Sequence, residues 1–114
     1  MQNRSPIAWN RVAELRDEIG DDEFAEVVEL FLEEVDAMVA ELSEAPEPEL
    51  EERLHAIKGS ALNLGFEGFA ELCQLGESSA AAGRGGDVDR TSVATIYHMS
   101  REVFLAGLDG ESDT

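Results

Sequence analysis

Cysteine, proline and cationic side chains are scarce in this chain of 114 residues. It contains one Cys, three Pro and eight Lys or Arg against 26 Asp or Glu, which gives a formal net charge of −18. A single cysteine excludes a disulfide within the chain and suits a reducing compartment. The negative field repels nucleic acid phosphates and anionic lipid headgroups, so we expect neither nucleic acid nor membrane as a partner.

Long apolar runs are also missing. No run approaches the roughly 20 residues that a membrane span requires. The opening residues, MQNRSP, lack the charged-then-apolar order of a secretory signal. These absences predict a cytoplasmic protein. The length suits a single domain over residues 1–114, able to bury roughly 65% of its unfolded surface without disulfides.

An apolar period of 3.6 residues runs through nearly the whole chain, and no alternating strand pattern competes with it. The period predicts an all-α fold, an antiparallel up-down-up-down four-helix bundle with a short extra N-terminal helix as a lid. We expect residues 1–8 and 109–114 to be poorly ordered or extended. The first predicted helix is short, is capped by Asn10 (or opened earlier by Ser5-Pro6) and ends at Gly20. Longer helices are predicted from Asp21 to before Pro46, over about 48–64 and over about 87–108. Between the last two, a fourth helix carries the apolar positions 69, 72, 73, 76 and 80 and ends in the turn at 83–86.

Some residues are expected only to support the packing. Trp9, Tyr97 and Met99 are predicted to lie in the core or at helix ends. Cys73 falls on the apolar stripe of the fourth predicted helix, where a cysteine behaves as a small, inert apolar residue.

His55 lies on the polar side of the third predicted helix, about 140° from the centre of the apolar stripe. Lys58 and Gly59 follow one turn later and are its neighbours. Glycine inside a helix costs about 1 kcal/mol relative to alanine. Gly59 faces away from the core, so close helix packing does not explain it. We infer a surface that a partner approaches, with Leu62 as an apolar contact. The apolar stripe consists of Leu50, Leu54, Ile57, Ala61 and Leu64.

The segment that begins at His55 resembles the motif of the histidine-containing phosphotransfer (HPt) family, His-x-x-Lys-Gly-(Ser/Ala)-(Ser/Ala)-x-x-(aliphatic)-Gly. Every specified position is filled, and the order of the helices extends the resemblance over most of the chain. The matching residues are His55, Lys58, Gly59, Ser60, Ala61, Leu64 and Gly65.

The resemblance implies a phosphorelay intermediate without kinase or phosphatase activity of its own. His55 would accept a phosphoryl group from a receiver-domain aspartate and pass it to another, and Lys58 would stabilise the phosphate. The docking face would comprise Gly59, which leaves room for the receiver, with Ser60, Leu62 and Asn63. The family often adds a Gln or Glu on the following helix; Glu77 fits this role as a candidate hydrogen-bond partner, with Gln74 as the alternative.

The resemblance also implies the partners. They would be the receiver domain of a hybrid sensor histidine kinase and that of a response regulator, with Mg²⁺ bound by the receiver and no cofactor or metal on this chain. We expect the protein to be a monomer.

Three alternatives are open at this point. Glu52 and His55 match the Glu-x-x-His of carboxylate-bridged metal bundles, but Thr95 occupies the corresponding position before His98. His98 could itself be the phosphoacceptor, although Glu102 stands where Gly59 stands relative to His55. The chain could also be an acidic adaptor or antagonist that docks a receiver domain without being phosphorylated.

Overall fold

The structure, a computed structural model, describes the backbone of residues 7–112 and the side chains of residues 7–108. All of its regular secondary structure is helical, which confirms the all-α prediction. Short 3₁₀ turns at Glu47–Glu49 and Gly85–Asp87 precede the third and fifth helices. The helices are α1 Trp9–Ile19, α2 Asp21–Leu42, α3 Leu50–Leu64, α4 Glu67–Ala81 and α5 Arg90–Ser112.

Glycines at positive φ separate α1 from α2 and α3 from α4. Gly20 (φ 97°) joins α1 to α2, and the acidic residues of the first turn of α2 interact favourably with its N-terminal dipole. Gly65 (φ 83°) ends α3 in the left-handed conformation. The N–H of Phe66 donates to the carbonyl of Ala61 (2.9 Å), which satisfies one of the last carbonyls of α3. The short turn that results sets α4 directly against α3.

The helices α2, α3, α4 and α5 pack in a closed ring, α2 against α3 and α5, and α4 against α3 and α5. Helix α1 packs across α2 and α3. Aromatic rings fill the centre: Phe66 and Phe69 of the α3–α4 segment contact Tyr97, and Trp9 stacks on Phe104 with centroids 6.0 Å apart. Burial of these large rings is the main favourable term in the stability of the bundle.

Several helix boundaries differ from the prediction. Helix α1 begins at Trp9 rather than after Asn10, and α3 begins at Leu50 after the 3₁₀ turn. Helix α5 begins at Arg90 because Asp89 accepts a hydrogen bond from the backbone N–H of Ser92 (3.1 Å), as an N-cap does. The end of α5 lies at Ser112 rather than Leu108, since extending a formed helix adds one hydrogen bond per residue.

The described residues fit part of the expectation for the chain ends, since Ala8 has an extended backbone (φ −84°, ψ 90°). Ile7 is 2% exposed, and the N–H of Ala8 donates to the carbonyl of Gly65 (2.7 Å), which ties the start of the chain to the α3–α4 turn. Residues 109–112 are helical rather than extended. Residues 1–6 and 113–114 lie outside the described range.

Of the predicted packing residues, Tyr97 and Cys73 are buried and Trp9 is half-buried, as expected. The prediction for Met99 is wrong: its side chain is 57% exposed. Val93, Tyr97 and Phe104 form the buried face of α5, and Met99 lies outside this face. Within residues 7–112, no helix has the length and apolar composition needed to cross a membrane.

Candidate functional site

Helix α3 presents His55 to solvent. Its side chain is 68% exposed, while the adjacent Leu54 and the following Ile57 are buried in the core. The imidazole Nδ1 lies 2.9 Å from Oε2 of Glu77, on the facing side of α4. One ring nitrogen is therefore held by the protein, while about two thirds of the side chain is open to solvent.

Glu77 bridges the two titratable groups of α3. Its Oε2 meets His55, and its Oε1 lies 3.1 Å from Nζ of Lys58. Burial alone would raise the pKa of Glu77, but hydrogen bonds and positive charge from Lys58 and His55 outweigh it, so the pKa lies below its usual value. Glu77 is thus a carboxylate at neutral pH. A carboxylate accepts hydrogen bonds only, so Nδ1 carries the proton of the neutral imidazole and Nε2 keeps the lone pair.

Lys58 is held in place by two partners on α4. Besides the ion pair with Glu77, its Nζ donates to Oε1 of Gln74 (2.6 Å). Gln74 in turn donates from Nε2 to the hydroxyl of Ser78 (3.2 Å). The Lys58 side chain is 20% exposed, and its ammonium group is held at the cluster by Glu77 and Gln74.

Glu77 and Gln74, which the sequence offered as alternatives, are therefore both at the site with different contacts. Glu77 meets His55 and Lys58, whereas Gln74 meets Lys58. Ser78 was missed by the sequence reasoning. Its spacing of four residues from Gln74 on an exposed helix face was the available signal.

The surface around His55 is open at Gly59. A Cβ built there would have no described atom within 4 Å outside its own helix backbone and neighbouring residues. Leu62 is 47% exposed, Asn63 is exposed and Ser60 is half-buried. No close contact within the described chain thus requires a glycine at position 59, and an external partner could approach the backbone there.

Two other potentially reactive side chains, Cys73 and His98, are not part of this surface. Burial, reinforced by the negative charge of Glu77, raises the pKa of Cys73 to about 12, so this residue is a thiol rather than a thiolate. His98 lies on α5 against the ring of Tyr97, with centroids 5.2 Å apart. It is not part of the α3–α4 cluster. Among the described residues, no group of three or more His, Cys, Asp or Glu side chains is placed to hold a metal ion.

Comparison with known proteins gives one family. The Hpt domain model matches residues 26–104, which is more than half of the chain and includes α3, α4 and most of α2 and α5. No curated protein and no solved structure gave a match. Hpt domains are phosphocarrier modules that interact with receiver domains in the phosphorelays of two-component signalling. The helical fold, the histidine of α3 and the family match together identify this chain as a member of the Hpt domain family.

Proposed function

We propose that this protein is a phosphorelay intermediate that carries a phosphoryl group on His55 between the aspartates of two receiver domains. The observation that supports this most directly is the hydrogen bond between Nδ1 of the exposed His55 and the carboxylate of Glu77 (2.9 Å). It leaves Nε2 as an accessible nucleophile of fixed orientation. Phosphoryl transfer depends mainly on such positioning and on charge neutralisation.

In the proposed reaction, the Nε2 lone pair attacks the phosphorus of the receiver's aspartyl phosphate. The N–P bond forms as the P–O bond to the aspartate breaks, and the aspartate leaves as a carboxylate. The proton stays on Nδ1, which continues to donate a hydrogen bond to Glu77. No proton has to move in this step, and the same steps in reverse deliver the phosphoryl group to the second receiver.

Lys58 would stabilise the phosphoryl group on His55. A unit cation about 6 Å from a dianion contributes about 1.4 kcal/mol even at the dielectric constant of water. Docking of a receiver would exclude water and strengthen this interaction. Mg²⁺ would be supplied by the receiver, and no step requires a kinase or phosphatase activity of this chain.

We also propose that the protein is a cytoplasmic monomer and that α2 to α5 run up-down-up-down. Two contacts between α2 and α5 support an antiparallel arrangement. At the start of α5, Nη1 of Arg90 donates to the carbonyl of Leu42 (3.0 Å), the last residue of α2. About two turns further along α5, the hydroxyl of Tyr97 donates to Asp36 (2.6 Å), which lies earlier in α2.

The test is direct transfer from a purified receiver domain that has been phosphorylated with acetyl phosphate. Mixing it with this protein should yield acid-labile, alkali-stable phosphate on the protein. The label should be absent from His55→Gln and present in the matched variant His98→Gln. An equal loss in His98→Gln would move the phosphoacceptor to α5. A wild-type protein that binds receivers but takes no label from several of them would instead favour a non-phosphorylated adaptor.

A further inference from the structure

A groove runs between α2 and α3 beside the His55 face. Its lower part is a cleft of about 200 Å³ lined by Met38 and Glu41 of α2 and by Arg53, Ala56 and Ile57 of α3. The floor is apolar. Ala56 is exposed and lies about 100° from His55 around α3, so a receiver domain that covers His55 can extend around the helix to the edge of the groove.

A second cleft, of about 370 Å³, lies nearer the start of α2 and is lined by residues of that helix, Val27, Leu30, Phe31 and Glu34. Positions 27, 31, 34, 38 and 41 follow helical spacing, so both clefts lie along one stripe of α2. Leu30 is 60% exposed at its edge. We call the two clefts together the α2–α3 groove. Val27, Phe31 and Met38 are half-buried along this stripe and Leu30 is exposed, so apolar side chains remain partly open to a partner there.

The margin of this surface is acidic. Glu51 and Glu52 are exposed and lie one turn before His55 on α3. Glu34 and Glu41 line the far wall of the α2–α3 groove. A partner that covers His55 and the groove must therefore approach through a negative field.

The two cations of α3 do not offset this margin, because each already has acidic partners. Arg53 contacts Glu49 (2.9 Å) and Glu41 (3.4 Å). Lys58 is paired with Glu77 (3.1 Å). A second copy of the chain would bring the same acidic margin and the same net charge of −18, so self-association through this face is disfavoured.

We propose, on the basis of the proposed function, that the α2–α3 groove and the His55 face together dock one class of receiver domain. These receivers carry Lys and Arg around an apolar patch next to the phosphoaspartate pocket. Charge complementarity selects them over receivers with an acidic margin. Charges at an interface rim act mainly on the association rate and its salt dependence, so selection is strongest at low ionic strength.

The first experiment reverses the charge of the acidic margin on α3. Glu51→Lys/Glu52→Lys is compared with Glu29→Lys/Glu33→Lys, which places the same charges at exposed positions of α2 on the side of that helix that faces away from the groove. The probes are receiver domains phosphorylated with acetyl phosphate, chosen to range from acidic to basic around their pocket. With basic receivers, the second-order transfer rate constant should fall about tenfold in the α3 variant at low salt. The difference should shrink to less than about twofold at 0.5 M salt, where the Debye length is about 4 Å.

The second experiment tests the groove. Leu30→Ser is compared with Leu75→Ser, an exposed leucine of α4 (67%). Loss of an apolar contact should slow transfer about fivefold in the first variant at every salt concentration and leave the second unchanged. Thermal unfolding of all variants separates these effects from loss of fold.

The outcomes distinguish this proposal from the proposed function. Transfer from basic receivers that is lost on charge reversal, together with weak transfer from acidic receivers, supports it. Transfer at equal rates in both double variants, or a preference for acidic receivers, overturns the charge selection while leaving the phosphocarrier function intact. Absence of transfer from every receiver overturns both.

Discussion

Replacing Glu77 by alanine tests the role assigned to the carboxylate beside His55. In the native protein, Oε2 of Glu77 accepts a hydrogen bond from Nδ1–H of His55 (2.9 Å), and Oε1 lies 3.1 Å from Nζ of Lys58. The variant leaves the imidazole free to rotate and to exchange tautomers, so Nε2 presents its lone pair to the receiver for a smaller fraction of the time. The prediction is a slower chemical step with the same phosphoacceptor.

The magnitude follows from the hydrogen bond. Hydrogen bonds to charged groups contribute about 1.5–3 kcal/mol net. Because His55 is 68% exposed, water competes for its ring and the lower end of that range applies. Since each 1.36 kcal/mol corresponds to tenfold in rate, transfer should slow by about tenfold.

The assay is single-turnover transfer from a phosphorylated receiver at saturating concentration, which separates chemistry from docking. Nitrogen-15 NMR of the imidazole should show Nδ1–H as the main tautomer in the wild type and a mixture in Glu77→Ala. Gln74→Ala is the matched control: it removes a partner of Lys58 (2.6 Å) but keeps the His55 contact. A transfer rate within twofold of the wild type in Glu77→Ala, or an unchanged tautomer, would refute the reasoning.

Gly59→Gln should raise the free energy of unfolding by about 0.5 kcal/mol, because glycine is a poor helix former and the site is open, yet lower transfer at least tenfold. Urea unfolding and transfer assays check this, and native-rate transfer contradicts it. Gly65→Ala should destabilise the fold by about 2 kcal/mol or more, since the new Cβ would lie 2.9 Å from the carbonyl oxygen of Ala8 at φ +83°. Gly20→Ala, at φ +97° with open space, should cost less, so equal costs would contradict the contact. Because the pKa of Glu77 is lowered on folding, its contribution to stability is fully present above the usual carboxyl pKa and is lost as the pH falls from there through the lowered pKa of the folded state. In Glu77→Gln, the free energy of unfolding should therefore fall less steeply as the pH is lowered through the acidic range, which urea unfolding at several pH values measures. An unchanged slope would contradict this reasoning.

The exposure of His55 and the position of Gly59 followed from the sequence, because a rotation of 100° per residue fixes which side of one helix each residue occupies. The contacts between helices did not. Gln74 and Glu77 lie three residues apart on the same face of α4, and only the packing angle set by the turn at Gly65 determines which one meets His55. The exposure of Met99 likewise depends on how far α5 is rotated against its neighbours, which an apolar stripe does not specify. The start of α5 was available in principle, since Asp89 is a favourable N-cap residue.

The reactive cluster is also nearly local in sequence. His55 and Glu77 are 22 positions apart, and Lys58 and Gln74 lie between them, so two consecutive helices and their connecting turn carry all these groups. Little loop-closure entropy is lost in bringing them together. The α2 side of the groove lies on a different segment of the chain. Substitutions at its exposed positions, such as Leu30 and Glu34, leave the contacts among His55, Lys58 and Glu77 in place, so this wall can vary independently of the reactive cluster.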